Sequence, residues 1–145
     1  MPLFTWLAIS SYLLAFVILA AFAVIYLTRT QFMPYHRDAV ARPWSDLDPR
    51  LQVLLMALIR IVGWAWLALA CAGLMLLYGV FFVSSGLLQL ISFQGFCLLM
   101  ITPAIVVTTR VRRQTGAKPP TLTSALVALL TVVGFVFALL AGHHT

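Results

Sequence analysis

Residues 61–109 run for forty-nine positions without an Asp, Glu, Lys, Arg or His. Two more stretches, 1–28 and 119–145, are empty in the same way apart from His143 and His144. A helix that crosses about 30 Å of hydrocarbon needs about 20 apolar residues at 1.5 Å each. The outer two stretches therefore hold one span apiece and the middle one is too long for one. Gly79 and the Ser84-Ser85-Gly86 cluster are the expected break within it. Only 8% of the 145 residues are charged and 63% are hydrophobic. A water-soluble globule and a disordered chain are both excluded by that balance.

The pattern predicts an all-α integral membrane protein of one domain. Four transmembrane helices at about 5–28, 51–78, 87–109 and 121–141 form an antiparallel bundle, with a cytoplasmic interfacial loop between the first two. Helices are required because hydrocarbon offers no water to unpaired backbone groups, and the alternation of barrel strands is missing. Asp48-Pro49 is a helix start, with Asp as N-cap and Pro in the first turn. Pro103 stands inside the third span, where it removes a backbone hydrogen bond and predicts a kink. The first span has no basic residue before its apolar run, so it is expected to stay as a span rather than be cleaved as a signal peptide.

Orientation follows from the cations. Arg29, Arg37, Arg42 and Arg50 fall in the first connection, and Arg110, Arg112, Arg113 and Lys118 in the third. The ninth, Arg60, is the exception. By the positive-inside rule these connections face the cytoplasm and both termini face away from it, in a cell (inner) membrane. The pI near 10.2 has the same origin. Nucleic acid is not expected as a partner, because no basic surface interleaved with aromatics accompanies the charges. Membrane lipid, a second copy or a partner membrane subunit are the partners that remain.

The candidate polar sites are few. Tyr35, His36, Arg37 and Asp38, with Arg42 and Trp44, make the richest constellation and suit contact with a lipid head group or partner. Residues 51–59, polar only at Gln52, would project past the bilayer core and need covering by this connection. Arg60, Gln94 and Pro103 are the candidate residues of a pore or transport path. Gly134, Ala138 and Gly142, spaced by four, predict a small-residue face for close helix packing. Cys71 and Cys97 read as free buried thiols, without the C-x-x-C of a redox pair. No metal site is expected, since His36 lies a bilayer away from His143 and His144, and no cofactor is expected either.

Met33-Pro34-Tyr35-His36 and the segment from Asp46 to Gln52 resemble stretches of small bacterial membrane proteins, a likeness that attaches no family of known activity. Three known four-helix classes are excluded by residues. The chain has no Glu for a small multidrug transporter, neither Asn nor Glu for a glutathione-using membrane enzyme of the eicosanoid type, and no C-x-x-C for a disulfide-forming oxidoreductase. The expected function is that of a non-catalytic inner-membrane accessory or structural protein, acting through helix, partner or lipid contacts. The alternative is an oligomeric channel or small-solute transporter using Arg60 and the Pro103 kink. Third is an enzyme of the head-group surface using Tyr35, His36, Arg37 and Asp38.

Overall fold

The computed structural model describes residues 3–83 and 86–142. Ser84, Ser85, His143 and His144, which entered the readings above, lie outside them. Five α-helices follow in order: α1 (Leu3–Thr28), α2 (Pro34–Val40), α3 (Pro49–Tyr78), α4 (Leu87–Thr115) and α5 (Thr121–Leu140). A short 3-10 turn covers Trp44–Asp46, and no strand occurs among the described residues. Four of the helices, α2 being the exception, are long and apolar enough to span a membrane.

Local chemistry sets the ends. The Thr28 hydroxyl donates back to the Val24 carbonyl at 2.9 Å, occupying an acceptor the last turn of α1 would leave open. Asp48 accepts from the Arg50 N–H at 2.8 Å and Pro49 opens α3. Gly116 closes α4 with a φ of 73°, and its N–H reaches the Arg112 carbonyl at 3.0 Å.

Two expected boundaries shift. Gly79 does not break the chain: Gly79–Val83 continues α3 as a π-helical turn. A widened helical turn keeps its backbone groups paired, which an open joint would not. In turn, α4 continues past residue 109 to Thr115, so Arg110, Arg112 and Arg113 ride on helix rather than loop. Arg is a good helix former, and nothing before Gly116 stops the spiral.

Helix α1 is the hub, packed along α3 on one side and α5 on the other, while α4 leans on α5 and meets α3 only lightly. Glycines allow the close approaches. Gly73 of α3 lies flat under the Phe16 ring, and Gly134 of α5 lies under Tyr12. The rings of Tyr12 and Phe16 then reach Phe93 of α4, with centroids 4.7 and 6.1 Å apart. With Cys97, Ile101 and Thr131 these side chains make the most deeply buried part of the molecule. Large apolar residues elsewhere, such as Val53, Met75, Leu88 and Leu99, point outward, as a surface that faces lipid requires.

Candidate functional site

Beyond that core, toward the end that carries α2, the packing loosens. The loop after α1 folds back as α2, and an aromatic cluster holds it there. The Tyr35 and Tyr26 hydroxyls are hydrogen-bonded to each other. The His36 ring stands edge-on to Tyr35 at 4.2 Å, to Phe32 at 5.8 Å and to Tyr26 at 6.2 Å. Trp44 meets the other side of Phe32 at 4.7 Å. Gln52, the one polar residue of 51–59, ties the loop to α3 by donating to the carbonyls of Trp44 and Leu47 at 2.8 and 3.2 Å.

Two cavities lie beneath this roof. The first, of about 200 Å³, runs between all four long helices past Phe22, Trp66, Ala104 and Val127. The second, of about 370 Å³, lies between α2, the start of α3 and the end of α4, past Phe32, Leu55 and Ile59. Tyr26, Tyr35, Val107 and Thr108 line both, so the tyrosine pair stands at their shared wall. Among the described residues no ionisable group borders either one except the two phenols and His36. Burial holds the Tyr35 phenol well above its usual range, helped by its bond to Tyr26, and pushes His36 down, so both stay neutral at pH 7. His36 Nδ1 is buried without a hydrogen-bond partner.

Outside the same loop the chemistry changes sign. A depression of about 370 Å³ is bordered by Arg29 and Arg37 together with Phe32, Trp44 and Ser45. Phe32 thus separates a cationic hollow from an apolar one. Arg37 Nε lies 3.7 Å from Asp38 Oδ1, but both side chains are more than half exposed, so this pair leaves the arginine available.

The constellation read from the sequence is therefore divided. Tyr35 and His36 turn toward the cavities, Arg37, Asp38 and Arg42 face outward, and Trp44 braces Phe32. Arg60, Gln94 and Pro103 do not gather. Arg60 is exposed on α3 and Pro103 is exposed on α4, whose helix runs through it unbroken. Gln94 is buried, accepting from the Tyr12 phenol at 2.8 Å and leaving its Nε2 unpartnered. None of the three lines the two roofed cavities.

Gly134 and Ala138 are buried, but Gly142 leaves their helix face. Helix α5 ends at Leu140, and Gly142 takes a φ of 75° beyond it, the left-handed conformation of a residue past a helix end. Cys71 is exposed and Cys97 buried, which corrects the expectation of two buried thiols. Cys71 occupies a face of α3 turned away from its neighbours. Sequence reasoning missed Tyr26, Phe32 and Thr108. The available signal was aromatic crowding: Phe22, Tyr26, Phe32, Tyr35, His36 and Trp44 fall within a short run around the end of α1. No protein-family model matches the chain, and neither does any curated protein or solved structure.

Proposed function

We propose that the protein is a non-catalytic, multi-pass component of a bacterial-type inner membrane that works by engaging lipid at the end of its bundle that carries α2. The bundle is antiparallel, with α2 as a cytoplasmic interfacial segment and both termini on the opposite side. One observation carries this reading: an aromatic cluster borders apolar cavities at the same end where eight of the nine Lys and Arg residues are gathered. Its support is the convergence there of the end of α1, the start of α3, the end of α4 and the start of α5, which line the first two cavities jointly. A basic interface over apolar volume suits a molecule with an anionic head and a hydrocarbon body. Transport through Arg60 and Pro103 has less support, since both side chains face outward. Surface catalysis has less as well, because Asp38 is exposed and lines neither of the cavities that Tyr35 and His36 border.

The test is lipid analysis of the protein purified in mild detergent. Phospholipid retained at about one to two molecules per chain through extended washing, and reduced in Tyr35→Ala or Arg37→Ala, is the expected result. Lipid-free protein of unchanged stability, or solute flux in proteoliposomes that Arg60→Leu abolishes, would overturn it.

A further inference from the structure

We infer that the roofed cavities and the arginine hollow beside them form one binding site for a single anionic glycerophospholipid, with an acyl chain in the cavities and the phosphate on Arg29 and Arg37. This rests on the lipid-engaging reading above and specifies its ligand. Three observations carry it.

The first is volume and lining. Cavities of about 200 and 370 Å³ that meet at the tyrosine pair reach, taken together, the size range of ligand sites. Their walls are apolar and free of ionised groups, so a charged head placed inside would lose its hydration without compensation. Hydrocarbon fits; phosphate does not.

The second is the surplus of hydrogen-bonding capacity. The Thr108 hydroxyl is already used, donating to the Ala104 carbonyl at 2.7 Å, and the Ser124 hydroxyl donates to the Pro120 carbonyl. In the Tyr26–Tyr35 pair one phenol donates to the other, which leaves the acceptor's own proton unused. His36 Nδ1 is unused as well. A neutral phenol with a spare proton calls for an oxygen acceptor that brings no charge. The ester carbonyl at the head of an acyl chain is such a group.

The third is the position of the cations. The arginine hollow lies immediately across Phe32 from the second cavity. In a glycerophospholipid the phosphate sits a few bonds from the ester carbonyl, on the far side from the chain. The protein presents guanidinium groups outside Phe32, then the second cavity with the phenol pair on its wall, then the first cavity beyond that pair. Arg is suited to phosphate because its planar fork donates two parallel hydrogen bonds.

Trp66 lines the first cavity and so reports on its contents. The full chain in mild detergent is titrated with phosphatidylglycerol carrying brominated acyl chains, and in parallel with diacylglycerol carrying the same chains. The quenching assigned to Trp66 is the difference from a Trp66→Phe control. The expected result is saturable quenching by the phospholipid, with diacylglycerol about tenfold weaker for lack of the phosphate contacts. Arg29→Gln/Arg37→Gln then brings the phospholipid down to the diacylglycerol level, while Tyr26→Phe/Tyr35→Phe, which keeps both rings and removes every phenol proton of the pair, weakens both probes about fivefold.

Quenching that rises linearly with probe fraction and ignores these substitutions would mean that lipid touches only the outside, and the site falls. Equal affinity for the two probes would remove the phosphate subsite and overturn the assignment of the ligand. Phospholipid assayed on the same samples separates the two levels. Retained phospholipid without saturable quenching leaves the lipid-engaging reading standing and sinks this site, whereas loss of both removes the reading itself.

Discussion

Gly73→Ala tests the packing logic of the bundle most directly. A methyl group built on Gly73 lies 2.7 Å from Phe16 Cδ1 and closer still to Cε1 and Cζ, where ordinary contact begins at 3.4 Å. The ring must withdraw by about 1 Å, yet Phe16 is fully buried and backed by Phe93. Overpacking of this kind costs about 1–3 kcal/mol, and the better helix propensity of Ala returns at most about 1 kcal/mol. A net loss of about 1–2 kcal/mol is expected. Phe16→Leu alone loses buried apolar contact, roughly 1–2 kcal/mol. The double variant should cost less than the sum, because Leu vacates the space the methyl needs. A coupling of about 1–2 kcal/mol between the two sites is the expected signature. Gly95→Ala is the control, since nothing lies within 4 Å of its added methyl. Denaturant titration in mixed micelles reads all four variants. Additive costs, or a Gly73→Ala protein as stable as the parent, would refute the claim that α1 and α3 meet through this glycine.

Other expectations follow from single contacts. Tyr12→Phe removes the donor to Gln94 and leaves that amide with no partner at either end. It should cost about 1 kcal/mol, and Tyr12→Phe/Gln94→Leu should recover most of it; a silent Tyr12→Phe would show that the bond adds nothing. Burial lowers the pKa of His36 below its ordinary 6.5, so the unfolded chain takes up a proton before the folded one does. Stability from this source is complete above about pH 6.5 and declines as the pH falls toward the folded value, and His36→Gln should flatten the decline; a melting temperature that rises on acidification would contradict it. Finally, with Cys71 and Cys97 replaced, a single cysteine at Thr145 should react with an impermeant thiol reagent in intact cells while one at Gln114 does not. The reverse labelling would invert the proposed orientation.

The spans were legible because charge is so scarce that its absence marks hydrocarbon. Asp48-Pro49 was legible for a different reason, since capping is local chemistry between neighbours in the chain. What escaped depends on the third dimension. Gly79 reads as a joint in any linear scan, and only the folded backbone shows its groups kept paired in a π turn. Residues 110–115 look like loop because they are charged, though an exposed helical turn accepts arginine readily. The site was half visible. Tyr35 and His36 stood out as polar groups in an apolar chain, but their partners Tyr26 and Thr108 belong to spans, where they pass for ordinary membrane residues. Nothing in the spacing of Arg60, Gln94 and Pro103 says that two of them point outward, because the faces of α3 and α4 are set by which neighbours each helix finds.

The two halves of the bundle differ in a way that bears on its function. Around Tyr12, Phe16 and Phe93, glycines draw α3 and α5 against α1, and the aromatic rings fill the interval to α4. Toward α2 the same helices face one another across Ala104 and Thr108, which are too small to bridge the gap, and the cavities result. Unfilled volume of this size forfeits contact energy in any bundle, and a single Leu at residue 104 would recover part of it. In the proposed lipid-bound state an acyl chain offsets that loss. The rigid half then serves to hold the helix ends in register, so that the phenol pair, the imidazole and the two arginines keep fixed positions around that volume. Preorganisation of this kind lowers the entropy cost of binding, because the roof side chains are ordered by their own ring contacts before any ligand arrives.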